Sequence, residues 1–241
     1  MAEAGMAEVR LLAPAKLTVS LRVTGVRADG YHLIDAEMVT LDLADELVIT
    51  EGDGLEVEGG TGLEVTAGDD NLVRRALRAV GRTAQVRLVK RIPAGGGLGG
   101  GSADAAAILR WADCGDLAVA ASLGADVPFC LHGGRARVTG IGDELTPLPP
   151  LVATYTLLTP PFGVPTPAVY RAWDDLGGPT GARNDLEAAA LAVEPRLAAW
   201  RERLAMATGK EPVLAGSGST WFVDGDYPGE GRVVTRTAPG S

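Results

Sequence analysis

The sequence predicts an α+β fold, on three observations. Residues 9–23 alternate apolar and polar side chains with period two. Residues 85–92 alternate again and run straight into a glycine-dense loop followed by a strong helix former, giving the order strand, loop, helix. After residue 150, extended and helical patterns follow one another in mixed order, and no internal repeat is present.

Taking the segments in turn, Leu17, Val19, Leu21 and Val23 fall on one face of the first segment, and Lys16, Thr18, Ser20 and Arg22 on the other. That is the pattern of a half-buried strand. Ala28-Asp29-Gly30 is a turn signal. A second extended segment spans 33–50, interrupted at Asp42 and Asp45. Residues 52–68, glycine-rich and acidic, read as a hairpin or an exposed loop. Asp69-Asp70-Asn71 is an N-cap cluster ahead of Leu72, Val73, Ala76, Leu77 and Val80, which have helical spacing, and Gly81 closes that helix. In 85–92, Val86 and Leu88 point one way, and Lys90 breaks the third apolar position. Strands are expected at 135–139, 152–159 and 220–223, and helices at 167–176 and 185–207. The proline-rich join at 147–150 divides the chain into lobes 1–148 and 149–241.

The net charge of −9 over 241 residues argues against nucleic acid or an anionic membrane as partner. No apolar run reaches the ~20 residues that span a bilayer. The opening MAEAGMAEVR is acidic and lacks the apolar stretch of a signal peptide, so a cytoplasmic protein is expected. Cys114 and Cys130 form neither a disulfide framework nor a zinc knuckle and read as free thiols.

Six of the seven positions 95–101 are glycine. Such a run lets main chain approach a ligand without Cβ atoms in the way. Opening a helix, it aims several N–H groups and the positive helix end at one point, which suits phosphate. Ser102 falls at the expected N-cap, where its hydroxyl caps the helix or reaches Mg²⁺. Asp104 falls in the first turn, where it favours the dipole or faces the metal. Walker A requires a lysine after the glycines and is excluded. A dinucleotide fingerprint, matched by Gly95, Gly97 and Gly100, stays open, as does a tight turn without ligand.

The string from Pro93 to Ser102, followed by Ala103-Asp104-Ala105-Ala106, resembles the phosphate loop of the GHMP kinases. Ala13-Pro14-Ala15-Lys16-Leu17, Arg27-Ala28-Asp29-Gly30-Tyr31-His32, Leu123-Gly124-Ala125-Asp126-Val127-Pro128-Phe129, Pro165-Thr166-Pro167 and Gly216-Ser217-Gly218-Ser219 resemble further motifs, in the family's order. They point to the branch acting on a cytidyl-diphosphate polyol in isoprenoid precursor synthesis. The resemblance implies a two-lobed fold, with a ribosomal-protein-S5-like nucleotide lobe and a ferredoxin-like second lobe. It implies transfer of the γ-phosphate of ATP, with Mg²⁺, to an alcohol. Other small-alcohol kinases of the family and a nucleotide-binding regulator without turnover stay as alternatives, as does a monomer or a weak homodimer.

Residue by residue, the resemblance assigns Asp126 as the base or orienting group for the acceptor hydroxyl and Lys16, one of only three lysines, as the cation beside it. Pro93, Ala94, Gly95, Gly96, Gly97, Leu98, Gly99, Gly100, Gly101, Ser102 and Ala103 are assigned to the nucleotide, with Ser102 toward Mg²⁺. Thr18, Tyr31, His32, Thr166 and Tyr170 are assigned to the second substrate, the tyrosines stacking on the cytosine and His32 bonding its edge. Asn184-Asp185 matches a family segment that helix capping explains equally well. Thr18 departs from the asparagine usual two residues after the lysine, and the segments near 81–84, 112–122 and 224–241 are short for the family.

Overall fold

The computed structural model describes residues 7–179 and 181–240. It opens with β1 (Val9–Val26) and β2 (His32–Thr50), which form one long antiparallel hairpin. β3 (Gly54–Gly59), α1 (Leu72–Ala79) and β4 (Gln85–Lys90) follow as a parallel crossover, with β3 pairing along β4. Residues 54–59, expected as hairpin or loop, are therefore a strand. Their neighbour lies beyond a helix, which local turn signals do not reveal. α2 (Gly100–Trp111), α3 (Leu117–Leu123) and α4 (Val127–His132) lead to β5 (Arg135–Thr139) and β6 (Glu144–Pro147). One edge of β2 is taken by β1, and β5 and β4 bond its first and last parts, in the order β3-β4-β2-β5-β6.

The remainder comprises β7 (Thr154–Leu158), α5 (Thr166–Asp175), α6 (Glu187–Val193), α7 (Leu197–Thr208), β8 (Val213–Leu214), β9 (Trp221–Asp224) and β10 (Arg232–Arg236). Its sheet runs β10-β7-β9-β8, antiparallel throughout, which is the ferredoxin-like strand order. Only residues 225–231 join β9 to β10, so the second crossover has no helix.

The buried residues form three clusters. One lies between the first sheet and α1 to α4. The other two combine residues of β1 and β2 with residues of β7, β8, β9 and α5 to α7, so apolar packing crosses the 147–150 join. Tail residues cross it too, with bridges pairing Leu41 with Thr237 and Gly133 with Gly240. Cys114 and Cys130 are free thiols, and burial pushes Cys130 far above the ordinary thiol range. Among the described residues no helix is long and apolar enough to cross a membrane.

Asp45 does not interrupt β2. It is fully buried within the strand and takes up the Lys90 ammonium, which also lies 2.8 Å from Asp104 Oδ2. Lys90 is thus no break in the apolar face but the centre of a buried ion cluster of three strictly local-looking polar residues. Burial pushes the Asp104 carboxyl up to about 7, with Lys90 opposing and Asp45 adding to the rise.

Candidate active site

Half of the polar face of β1 is hidden from solvent, while Ser20 and Arg22 at its far end are not. Lys16 and Thr18 are 5% and 2% exposed and face the glycine loop. Register shifts between Pro14 and Lys16, and between Thr18 and Ser20, bracket the two residues. Bulges of this kind re-aim side chains that strict alternation would send elsewhere. The Lys16 amide donates to Leu98 O at 3.0 Å, tying the strand to the loop. The lysine stem then runs over Gly99, where a Cβ would lie 2.7 Å from Lys16 Cγ. With φ +68° as well, Gly99 has no room for a side chain on either count. The ammonium ends 3.2 Å from Asp126 Oδ2 and 3.2 Å from Thr18 Oγ1.

Asp126 occupies the N-cap position of α4 yet makes no capping hydrogen bond. Its carboxylate, about one-third exposed, is held by Lys16 and open to the cleft. The carboxylate is therefore not spent on capping the helix it precedes.

The N-cap of α2 is Gly99 rather than Ser102. Glycine reaches the left-handed conformation there, so the helix starts three residues earlier than the serine suggests. Ser102 lies inside the first turn, with its hydroxyl unbonded among the described residues and lining the cleft. Asp104 Oδ2 pairs with Lys90, and the residue lines the smaller cavity beside the loop. Ala103 is buried in the helical core, and its amide donates to Gly99 O, so it is not brought to the site. The amides of Ala94 and Gly96 are bonded to Thr61 O and Pro93 O. In contrast, the six consecutive amides of residues 97–102 donate to no protein acceptor among the described residues.

Two cavities meet at this loop. The first, about 290 Å³, is lined by residues 93–101 together with Asn71, Leu72 and Thr66. The second, about 680 Å³, gathers Lys16, Thr18, Tyr31, His32, Ser102, Asp126, Thr166 and Tyr170. Gly95 and Gly97 line both. Eight residues assigned from the sequence thus share one cleft, although they come from β1, the β1–β2 turn, β2, α2, the start of α4, and α5.

Tyr31 is 60% exposed at the β1–β2 turn. Tyr170 is largely enclosed, and burial, with the charge of Asp126 adding, pushes its phenol up to about 12. Thr166, the first residue of α5, shares a 2.8 Å hydrogen bond with Ser217. Asn184 is fully buried, accepts from the Leu186 amide, and donates to Leu214 O and Gly216 O. The N-cap of α6 is Leu186, so Asn184 forms a turn just ahead of the helix rather than capping it, and its amide fixes the glycine turn that faces Lys16. Sequence reasoning missed Arg171 and Asp174, which line the same cleft. Their spacing from Tyr170 and Thr166 on one helix was the available signal.

The GHMP kinases N terminal domain family matches residues 71–134, which include the loop, α2 and Asp126. The 4-diphosphocytidyl-2-C-methyl-D-erythritol kinase of Paracoccus denitrificans is 42% identical over 234 residues, covering 88% of this chain and 85% of the relative. The chain belongs to this kinase family. The 4-diphosphocytidyl-2-C-methyl-D-erythritol kinase of Ruegeria pomeroyi is 39% identical, with 95% and 92% covered. A solved 4-(cytidine 5'-diphospho)-2C-methyl-D-erythritol kinase superposes with a TM-score of 0.74 at 31% identity, covering 95% of this chain and all of that one. A homoserine kinase from Cytophaga hutchinsonii, 17% identical, shares the fold with a TM-score of 0.58. The two-lobed α+β architecture expected from the motifs is that of the GHMP kinases.

Proposed function

We propose that the chain is an ATP-dependent kinase that phosphorylates the 2-hydroxyl of 4-diphosphocytidyl-2-C-methyl-D-erythritol, in the non-mevalonate route to isoprenoid precursors. One observation carries the reading: the unbonded amides of residues 97–102 belong to a loop along which two cavities meet, and the Lys16–Asp126 pair lines the larger of the two. Phosphoryl transfer needs positioning and charge neutralisation more than covalent chemistry, and this arrangement offers both.

In this reading the triphosphate lies on the free amides and the helix start, and the acceptor alcohol enters the larger cleft. Asp126 orients the hydroxyl and receives its proton. Lys16, held between Asp126 and Thr18, faces the charge that develops on the transferring group. Thr18 keeps the ammonium in place with a hydroxyl where relatives are expected to use an amide. The cytosine lies among Tyr31, His32 and Tyr170.

Among the described residues no group of three or more His, Cys, Asp or Glu could hold a metal by itself. That fits Mg²⁺ carried on the triphosphate, with the unbonded Ser102 hydroxyl as the protein group that would hold it. There the ion neutralises phosphate charge.

Arg171 lines the acceptor cleft and makes no ion pair among the described residues, whereas Lys16 is already paired. The substrate diphosphate is assigned to it. Arg171→Ala is expected to raise KM for the cytidyl substrate about tenfold or more, leave KM for ATP unchanged, and be partly rescued by Arg171→Lys. Equal changes in both KM values would remove that assignment.

The function itself is tested by coupled detection of ADP with ATP, Mg²⁺ and a panel of alcohols. Stoichiometric ADP with the cytidyl polyol is expected. ATP binding without ADP from any polyol would instead indicate a regulator.

A further inference from the structure

His32 begins β2 and sits in the acceptor cleft, with its side chain 8% exposed. Three residues of α5 surround it. The Tyr170 ring lies 4.7 Å away, centroid to centroid, tilted by 32°. The Trp173 ring meets it edge-on at 5.7 Å. Asp174 Oδ1 lies 2.8 Å from His32 Nε2. Positions 170, 173 and 174 are spaced i, i+3 and i+4, so one helix face presents all three groups together. The side chain of Asp174 makes no other hydrogen bond or ion pair among the described residues.

The chemistry of the pair is directional. An ionised carboxylate only accepts hydrogen bonds, so the proton between the two groups belongs to Nε2. A neutral imidazole with Nε2–H carries its lone pair on Nδ1. Nδ1 has no partner among the described residues. The two flanking rings fix the imidazole plane, and the carboxylate fixes which nitrogen is the acceptor.

We propose that Asp174 is a positioning residue for substrate choice: by holding His32 as the Nε2–H tautomer, it makes Nδ1 an acceptor for the 4-amino group of cytosine and disfavours a 4-oxo pyrimidine. This rests on the reading above that the pyrimidine of the second substrate lies beside His32. Cytosine offers N–H at position 4, and uracil offers a carbonyl oxygen there. An acceptor facing that carbonyl leaves two lone pairs opposed and one bond unmade. Without Asp174 the imidazole is free to move its proton to Nδ1, and the preference falls.

Two measurements test this on the full-length protein. The first is long-range ¹H–¹⁵N spectroscopy of the imidazoles at mildly alkaline pH. Only two histidines are present, so His132→Gln assigns the signals. His32 is expected as Nε2–H in the wild type and as a tautomer mixture in Asp174→Ala. The second is the ratio of kcat/KM for the cytidyl substrate to that for its uridyl analogue, with ATP saturating. That ratio is expected to fall about tenfold in Asp174→Ala and to recover in Asp174→Asn, whose amide oxygen accepts the same hydrogen. An Nδ1–H wild type, or an unchanged ratio in Asp174→Ala, overturns the proposal while leaving the kinase reading intact. A wild type that turns over neither pyrimidine substrate overturns that reading and this proposal together. The tautomer spectra report on the Asp174–His32 pair in either case.

Discussion

Asp126→Asn is expected to lower turnover by at least about 10²-fold while leaving ATP affinity near the wild-type value. The substitution keeps the shape of the side chain and removes its ability to take a proton. It also removes the charge that faces Lys16 at 3.2 Å. ATP affinity should hold because Asp126 lines the acceptor cleft and not the cavity along residues 93–101. Single-turnover mixing separates the two quantities, since it reads the chemical step without product release. A variant with wild-type turnover would take Asp126 out of the mechanism and leave Lys16 with a purely structural partner.

Lys90→Met is expected to lower the free energy of unfolding by about 3–5 kcal/mol, the cost of stranding buried carboxylates without their cation. Asp45 and Asp104 are 0% and 2% exposed, so water cannot replace the ammonium. Asp45 also accepts from the Ile92 amide at 2.8 Å, so its carboxylate cannot turn away without breaking the strand's exit into the loop. A loss of that size is a large share of a typical domain's stability. Urea unfolding measures it. Adding Asp104→Asn to Lys90→Met should recover part of the loss, because one uncompensated carboxyl is then gone. A midpoint within about 1 kcal/mol of wild type would mean that the two carboxyls simply share protons and need no lysine. The loop should feel the change too, since a Cβ at Gly100 would lie 3.1 Å from Lys90 Nζ.

Which parts of the molecule could be read from the chain depends on how far apart the partners lie. The glycine loop was legible because six glycines in seven positions have little structural use other than close main-chain approach. The α1 helix was legible because Asn71, its cap, and Gly81, its end, are adjacent in sequence to the apolar positions they bracket. The polar face of β1 was misleading, since period two distinguishes faces but not what covers them. Lys16 and Thr18 are buried under a loop that arrives about 80 residues later. Asp45 and Lys90 each looked like a flaw in a strand because either charge alone would be one. Their pairing spans 45 residues, and a single-strand pattern does not contain it. Asp174 bonds His32 across 142 residues, and only its helical spacing from Tyr170 marked it. Ser102 was placed at the cap because serine is a good cap, and Gly99 won because the left-handed turn is easier for glycine.

The partition between the two cavities is made almost wholly of backbone, with Leu98 the one sizeable side chain along residues 95–101. With the triphosphate on these amides, as proposed, the donor half of the chemistry is written in peptide groups, which point mutation of side chains does not rewrite. The acceptor half is written in side chains from six separate segments, each open to exchange. Divergence can then change the alcohol while the nucleotide cradle stays constant.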